Sequence, residues 1–251
     1  MIAPLASSLG FPLNPLTAIT ATVTALAGTC VYAALSAGSQ LFGPTLIANR
    51  NPNQIALTFD DGPNDPCTHQ LLEILAEHQL RASFFMIGRF VCQRPDIVRA
   101  VHQAGHVIGN HTMTHPWLVF ESPASVHREL ANCSAALEDV VGEKIHYFRP
   151  PHGARRPDVL STAEKLGLTP VMWNVMAHDW EAGICAADIQ GHIEKGISRN
   201  RGAGRSTNIV LHDGGQAGIG QDRSATVQAV RHWLRKENAS FITVDQLTQP
   251  R

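Results

Sequence analysis

The sequence predicts an α/β fold in which about seven parallel strands close into a barrel, preceded by an uncharged N-terminal hydrophobic segment. From residue 54 onward, short apolar or β-branched runs alternate with stretches of helical periodicity, and this alternation is typical of parallel strands covered by helices. A length of 251 residues suits one barrel-sized domain. The first charged side chain is Arg50, so that the segment before it is neutral.

The neutral N-terminal segment contains residues 16–38, a stretch long enough to span a bilayer. Threonines dilute this stretch, and no Lys or Arg precedes it as in a signal peptide. A membrane anchor or export segment, which would place the protein in the cell envelope, and a helix packed against the folded domain are therefore both open. We accordingly divide the chain into a segment 1–50 and a folded domain 51–251, with a linker at 50–54.

The folded domain is predicted to alternate between strands and helices along its whole length. The predicted strands are IALTF (55–59), ASFFMI (82–87), HVIGN (106–110), HYFRP (146–150), PVMWNV (170–175), NIVLH (208–212) and FITV (241–244). The helices predicted between them span 68–79, 95–105, a stretch ending in 129–142, 156–167, 186–197 and 224–237.

Polar side chains follow the predicted strands at their C-terminal ends. These residues are Asp60 and Asp61 after the first strand, His111 after the third, Arg149 in the fourth, Asp179 and Trp180 after the fifth, and His212 and Asp213 at the sixth. In parallel barrels the C-terminal strand ends share one rim, where the chemistry collects. We therefore expect these residues to form one site.

Charge and cysteine usage argue against several classes of function. Lys and Arg number 20 against 21 Asp and Glu, without a basic cluster, so that a nucleic-acid partner is not expected. The five cysteines are widely spaced and form no CxxC, which fits neither a disulfide framework nor a zinc ribbon. We expect small buried side chains, with one incidental disulfide open in an oxidising compartment.

The hexapeptide TFDDGP (58–63) places two carboxylates side by side at the end of the first strand. Asp-Gly-Pro is also ordinary turn chemistry, so that Asp60 alone could be a turn or N-cap residue. Because neighbouring side chains of a strand point to opposite faces, the two acids are expected to diverge. We therefore predict different tasks for Asp60 and Asp61.

The pentapeptide HTMTH (111–115) contains two imidazoles four residues apart, which on a helical turn share a face and can bind one ion. Spacing alone is a weak signal among 13 histidines, because His102 and His106 have the same spacing. No acid accompanies that second pair in a motif, and we predict a structural role for it.

A catalytic zinc site typically has three protein ligands and one open position. The two histidines of HTMTH and one carboxylate, from Asp60 or Asp61, would complete such a set. The pentapeptide contains no Glu that could act as a base, unlike the HExxH motif. The second carboxylate is then available for this task.

Five motifs resemble, in this order, those of the polysaccharide deacetylases, carbohydrate esterase family 4: TFDDGP, HTMTH, RPPHG, HDW and LHDG. The first two together are highly specific, whereas the other three are individually weak but correctly ordered. The similarity extends from about residue 54 to the C-terminus. It implies a distorted (β/α) barrel, here the deacetylase catalytic domain, that removes acetyl groups from N-acetylated sugars with one divalent metal, zinc before cobalt or nickel.

The resemblance implies a role for each acid and histidine in the first two motifs. Asp61, His111 and His115 would ligate the metal. Asp60 would be the general base that takes a proton from water bound there, and Arg149 would orient and electrostatically hold it. From its residue type alone, Arg149 could also be an ordinary ion-pair partner.

The remaining motifs are implied to supply the acid and the substrate contacts. His212 would protonate the leaving amine, and its partner Asp179 would raise its pKa, although a core histidine is the alternative. Trp180 and Leu211 would line the pocket for the acetyl methyl group. In RPPHG, Pro151 and His152 would contact the substrate, and the backbone N–H of His152 would stabilise the oxyanion.

Two positions depart from the family's pattern. His152 stands where the family commonly has an aromatic residue, often Tyr, so that the backbone donor survives but the aromatic wall is lost. Met176 stands where the fourth motif usually begins with Asp, and a carboxylate near the site is thereby lost. Trp117, just after the second motif, could stack on a sugar ring or simply pack.

The expected substrate is an acetylated glycan of the chitooligosaccharide or peptidoglycan type. An O-acetyl xylan esterase and a small-molecule amidase are alternatives that use the same site. A non-catalytic glycan-binding module of the envelope is an alternative of another class, and the departures at residues 152 and 176 are its only motivation.

Overall fold

The computed structural model describes the backbone of residues 15–247 and the side chains of residues 19–247. The strands in this part are β1 (Gln54–Gly62), β2 (Ser83–Met86), β3 (Val107–Asn110), β4 (Tyr147–Phe148), β5 (Thr169–Pro170), β6 (Val175–Met176), β7 (Thr207–His212) and β8 (Ser240–Ile242). The helices are α1 (Pro15–Leu35), α2 (Cys67–Glu77), α3 (Gly88–Gln93), α4 (Pro95–Gln103), α5 (Pro123–Val141), α6 (Pro157–Lys165), α7 (Ala186–Gly202) and α8 (Ser224–Leu234).

The strands form one sheet in which all pairings within the described part of the chain are parallel. Its order is β5-β4-β3-β2-β1-β7-β6, and β8 pairs with the beginning of β1. The sheet curls into a half-barrel with the helices outside, which confirms the predicted α/β class. Each predicted helix corresponds to one of the long helices, whereas the short α3 was not predicted.

The prediction of one strand at 170–175 is wrong. The chain forms β5 and β6 there instead, and these lie at opposite edges of the sheet. Between them, the backbone N–H of Asn174 donates to the carbonyl of Asn208 at 3.1 Å, and the Asn174 side chain accepts from the Asn208 N–H at 2.8 Å. Residues 171–174 thus cross from one edge to the other, and this crossing distorts the barrel.

The core has an outer and an inner layer because successive side chains of a strand alternate between faces. In β1, Ile55, Leu57 and Phe59 belong to the outer layer between the sheet and the helices. Ala56 belongs to the inner layer, where it packs with Phe85. Burying a side chain as large as Phe59 stabilises the fold by about 1.5–3 kcal/mol. A shift of β1 by one residue would turn the outer side chains towards the barrel interior, and the cost of that shift fixes which residues of β1 point inward.

Helix α1 contacts the barrel near its C-terminal end. Ala33 is buried, the backbone N–H of Arg155 donates to the Ala34 carbonyl at 3.0 Å, and the Arg155 guanidinium donates to the carbonyls of Ser36 and Ser39. Six large apolar side chains, spread over the described length of the helix, are exposed: Ile19, Val23, Leu26, Val31, Tyr32 and Leu35. Within the residues described, no helix is long and apolar enough to cross a bilayer.

The segment just before β1 is part of the folded structure. Leu46 forms a parallel bridge with Val171, and the backbone N–H of Asn49 donates to the Ser206 hydroxyl at 2.7 Å. The predicted boundary at residue 50 therefore falls within backbone that is hydrogen-bonded to the barrel. Residues 1–14 of the predicted N-terminal segment lie outside the described part.

The five cysteines all lie in the described part and are all free. Cys67 and Cys133 are buried, as expected, whereas Cys30, Cys92 and Cys185 are exposed.

Candidate active site

A cavity of about 490 Å³ opens at the C-terminal ends of the strands. Its lining includes many of the residues expected at this rim: Asp60, Asp61, His111, His115, His152, Trp180 and His212. The expectation that these distant positions meet in space is therefore correct, and the geometry of each can be traced to the element that carries it.

The two acids of TFDDGP reach the cavity through a bulge in β1. Strand β1 continues through both acids, but its pairing with β2 shifts between Asp60 and Gly62, and Asp61 has a positive φ of 71°. An uninterrupted strand would place one acid on each face of the sheet, so the expectation that alternation separates them is wrong. The irregular backbone lets both side chains line the same cavity.

Two glycines make this bulge sterically possible. A Cβ at Gly62 would collide with the carboxylate of Asp213, and a Cβ at Gly214 would collide with the carbonyl oxygen of Asp61. The end of β1 and the segment after β7 are thus in direct backbone contact.

Asp61, His111 and His115 form the one group in the described part of the chain whose side chains could hold a metal ion. Asp61 Oδ1 lies 3.3 Å from Nε2 of His111 and 3.1 Å from Nε2 of His115. This oxygen is buried and meets hydrogen-bond geometry with neither imidazole. One carboxylate and two imidazoles with a buried, unsatisfied oxygen fit a divalent ion with an open position.

The motif HTMTH is a loop after β3 and not the helical turn that its spacing suggested. Thr112 and His115 have positive φ values of 66° and 64°. Asn110 stabilises this backbone, because its Oδ1 accepts from the Thr112 N–H at 2.8 Å while its Nδ2 donates to the Leu130 carbonyl at 2.8 Å. The His111 and His115 rings therefore converge, with centroids 4.9 Å apart.

The outward nitrogens of the two imidazoles have different partners. Nδ1 of His111 lies 2.8 Å from the carbonyl oxygen of Arg149, and Nδ1 of His115 lies 3.0 Å from Oε1 of Gln216. Each Nδ1–H can donate there, which leaves each Nε2 lone pair facing Asp61. The sequence analysis missed Gln216. Its only signal is its position in a glycine-rich stretch just after the fifth motif.

Asp60 is held from inside the barrel by Arg149, which is fully buried. Nη1 of Arg149 donates to Asp60 Oδ1 at 2.7 Å and to the Thr58 hydroxyl at 2.6 Å. The Thr58 hydroxyl in turn donates to the Ile209 carbonyl at 2.7 Å, a contact that the sequence analysis missed. The other oxygen of Asp60, Oδ2, lies 4.0 Å from Nε2 of His111. Arg149 thus leaves one carboxylate oxygen of Asp60 near the candidate metal site.

His212 is held on the opposite side by Asp179. Nδ1 of His212 donates to Asp179 Oδ1 at 2.8 Å, and the backbone N–H of His212 donates to Oδ2 at 2.7 Å. Thr226, on α8, donates to the same Oδ2 at 2.8 Å. Burial alone would lower the pKa of His212, but the negative charge of Asp179 outweighs it and raises that pKa to about 9. The imidazole is therefore protonated at neutral pH.

The third motif forms a tight turn at the rim. Pro150 and His152 line the cavity, whereas Pro151 is buried in the turn. The His152 ring stacks on Trp117 with centroids 3.9 Å apart and planes at 11°. Burial, together with the charge of His115, lowers the pKa of His152 to about 4. The neutral His152 imidazole and the Trp117 indole, which is 45% exposed, thus form a flat surface at the rim of the cavity. The departure from the family's pattern at residue 152 had suggested that this aromatic wall would be lost.

Strand alternation moves one predicted residue away from the cavity. Leu211 is fully buried in the outer core, and its neighbour Val210 lines the cavity instead. Side chains of β7 alternate, so that Val210 and His212 share the inner face and Leu211 faces the helices. Trp180 lines the cavity beside His212, with ring centroids 5.1 Å apart. Met176 also lines the cavity, as an apolar side chain at the departing position.

The second histidine pair has the structural role predicted for it. Nδ1 of the buried His106 accepts from the Ala82 N–H at 3.1 Å, and His102 pairs with Glu143 at 2.9 Å. Asp213, which follows the general-acid candidate, accepts a short hydrogen bond from the Thr68 hydroxyl behind the bulge, and burial raises its pKa to about 7.

Comparison with known proteins connects this geometry to one family. The family model described as polysaccharide deacetylase matches residues 48–171. A chitooligosaccharide deacetylase of a Bradyrhizobium species is 36% identical over 193 residues, which cover 74% of this chain and 84% of that relative. A peptidoglycan-N-acetylglucosamine deacetylase of Bacillus cereus is 36% identical over 203 residues, which cover 78% of this chain and 89% of that relative.

A solved structure shares the fold. The crystal structure of a peptidoglycan N-acetylglucosamine deacetylase in complex with 4-naphthalen-1-yl-N-oxidanyl-benzamide superimposes with a TM-score of 0.69 at 28% sequence identity. The alignment covers 78% of this chain and 88% of that one.

Proposed function

Because the chain belongs to the polysaccharide deacetylase family, and is therefore a carbohydrate deacetylase, we propose that it removes acetyl groups from N-acetylglucosamine units of a chitooligosaccharide or a peptidoglycan-type glycan. Two relatives named for these substrates cover most of the domain at 36% identity and support this substrate class. One observation carries the proposal: a carboxylate held by Arg149 and an imidazole held by Asp179 flank a buried metal-ligand set in one cavity.

The metal site is assigned to Asp61, His111 and His115, with zinc as the ion and cobalt or nickel as alternatives. When bound, such an ion lowers the pKa of water and polarises the amide carbonyl. The buried, unsatisfied Oδ1 of Asp61 supports this assignment, because burying a carboxylate oxygen without a partner is costly.

Asp60 acts as the general base in this proposal. Arg149 occupies its Oδ1, and the free Oδ2 accepts a proton from the attacking water. Arg149 is anchored by Thr58 and buried against the Phe85 ring, 4.2 Å from its centroid, so that the carboxylate is held in one orientation.

His212 acts as the general acid. With its Nδ1 engaged by Asp179, its Nε2 delivers a proton to the leaving nitrogen, and its raised pKa of about 9 keeps that proton available at neutral pH. Trp180 and Val210 line the cavity on the same side and provide apolar surface for the acetyl methyl group. The backbone N–H of His152 is assigned to the oxyanion.

An O-acetyl xylan esterase or a small-molecule amidase would use the same residues, and these remain the alternative substrates. A glycan-binding module without catalysis is disfavoured, because neither His152 nor Met176 replaces a ligand, the base or the acid.

We also place the protein in the cell envelope, with the exposed apolar side chains of α1 as a membrane contact. Recovery of the full-length chain in a soluble fraction after cell lysis would contradict that placement.

The adjacent acids provide a matched pair of variants that tests the function. Asp60→Asn is expected to keep its metal and to lose about 10²–10⁴-fold in acetate release from N-acetylglucosamine oligomers, because a general base contributes about that much. Asp61→Asn is expected to lose both metal and activity. Equal acetate release by Asp60→Asn and wild type would refute the mechanism. Acetate release from peptidoglycan fragments and from acetylated xylan, compared with release from N-acetylglucosamine oligomers, identifies the preferred substrate.

A further inference from the structure

The two histidines of the candidate metal site are oriented by partners of different kinds. His111 points its Nδ1 at a backbone carbonyl, that of Arg149, inside the barrel. His115 points its Nδ1 at a side chain, that of Gln216, in the loop between β7 and α8. A backbone carbonyl is present whatever residue occupies position 149, whereas the partner of His115 depends on the residue at position 216.

The loop that carries Gln216 is fixed at several points. The Arg89 guanidinium donates to the carbonyl of Gln216 itself. Arg223 Nε donates to the Gly214 carbonyl at 2.6 Å. Asn64, which is buried, accepts from the Gly220 N–H at 2.6 Å through its Oδ1. The backbone of residue 216 is thus held on both sides, so that the side chain approaches His115 from a defined position.

We propose that Gln216 is a positioning residue of the metal site, which fixes the tautomer of His115 and thereby sets the affinity for the ion. Gln216 Oε1 accepts the Nδ1–H of His115, which leaves the Nε2 lone pair directed at the space shared with Asp61. The proposal rests on the proposed metal site. It goes beyond the ligand set, because Gln216 lines the same cavity but is not one of the three candidate ligands.

The chemistry of the amide sets the expected size of the effect. Partners of ligating histidines typically change metal affinity by about 10–100-fold when they are removed. An amide oxygen is a neutral acceptor, so it orients the ring without the additional basicity that a carboxylate confers. Gln216→Leu therefore removes the acceptor at similar size, and Gln216→Glu keeps an acceptor in the same place.

The experiment measures zinc affinity of the purified full chain by competition with a chromophoric chelator. Gln216→Leu is expected to bind zinc about 10–100-fold more weakly, and Gln216→Glu at least as tightly as wild type. Gln221→Leu is the matched control, since the residue lies in the same loop and lines the same cavity, and the hydrogen bonds it accepts from Asn64 and Cys67 go to its backbone carbonyl, which the substitution keeps. The control is expected to retain the affinity of the wild type.

A second readout follows the imidazole itself. In zinc-loaded protein with ¹⁵N-labelled histidine, the Nδ1–H of His115 is expected to exchange slowly with water in wild type, because Gln216 Oε1 accepts it, and to exchange faster in Gln216→Leu. The His115 signal is assigned by its absence from His115→Gln. The Gln221→Leu control is expected to keep the exchange rate of the wild type, which separates loss of this hydrogen bond from a general loosening of the loop.

Three results would overturn the proposal: unchanged zinc affinity in Gln216→Leu, an equal loss in the Gln221→Leu control, or an unchanged exchange rate of the His115 Nδ1–H in Gln216→Leu. If Gln216→Leu does not fold, weaker binding by Gln216→Glu has the same consequence. A wild type that binds zinc but releases no acetate contradicts the proposed function and leaves the affinity comparison intact. The two failures are therefore distinguishable.

Discussion

In the proposed mechanism the functional group of the Asp60–Arg149 pair is the anion, whereas that of the His212–Asp179 pair is the cation. Both pairs are buried, and each supporting charge, Arg149 or Asp179, is almost inaccessible to water. The difference lies in their response to pH. A guanidinium keeps its proton at all pH values of interest, while the imidazole of His212 titrates near 9. One pair is a permanent support for a base, and the other is an acid with a limited pH range.

The largest effect is expected from removing the permanent cation. Arg149→Met should destabilise the protein by about 3–5 kcal/mol, because it leaves the Asp60 carboxylate buried without its partner. Urea unfolding measures this loss.

The double variant Asp60→Leu/Arg149→Met is the control, because it removes both charges. It should recover much of that stability and none of the activity. If Arg149→Met were as stable as the wild type, the Asp60–Arg149 pair would not be required for the stability of the fold.

The pH dependence of stability separates the two pairs. Because the folded pKa of His212 is raised from 6.5 to about 9, its contribution is fully present below pH 6.5 and is lost as the pH rises through 9. The loss amounts to at most about 3 kcal/mol. It is measured as the difference in unfolding free energy between wild type and His212→Gln across this range. A difference that grows with rising pH would contradict the assigned sign.

Removing the Asp179 carboxylate, which raises the pKa of the proposed acid His212, should narrow the pH range in which the enzyme is active. In Asp179→Asn the pKa of His212 falls, so that the alkaline limb of kcat/KM moves to lower pH and activity at pH 8 drops by about 100-fold. Thr226→Val removes one hydrogen bond to Asp179 and leaves the charge, and it should shift the limb far less. An unmoved limb in Asp179→Asn would assign the titration to another group.

The smallest effect is expected on the rim, away from both ion pairs. Trp117→Ala removes the stack on His152 and should lower kcat/KM for oligomers by about 2–10-fold, in line with aromatic pair energies. Trp117→Phe should recover most of it. A loss as large as that of Asp179→Asn would place Trp117 within the catalytic geometry.

The order of the motifs and the strand ends that carry them could be predicted from the sequence, because each depends on residues close together in the chain. TFDDGP and HTMTH contain the three side chains that the structure brings together as a candidate metal site. Their backbone was not: the bulge at Asp61 and the left-handed residues of the His111 loop arise from contacts with Gly214 and Asn110. Local spacing does not contain that information.

The missed contacts have a common cause. Thr58 and Gln216 act on Arg149 and His115, which are distant in sequence. The prediction of Leu211, where Val210 lines the cavity, failed for a different reason. Successive side chains of a strand point to opposite faces, so that an error of one residue places the side chain on the wrong face. In an uninterrupted apolar run such as NIVLH, the sequence does not show which side chains point into the barrel.

The crossing at 171–174 has a consequence for engineering. Because β5 and β6 do not pair with each other, the cavity wall between them is made by the side chain of Trp173, which lies on no strand. Residues here can be exchanged for others of similar size without breaking strand pairing. A library for altered glycan preference can therefore begin at Trp173, with replacements of similar size.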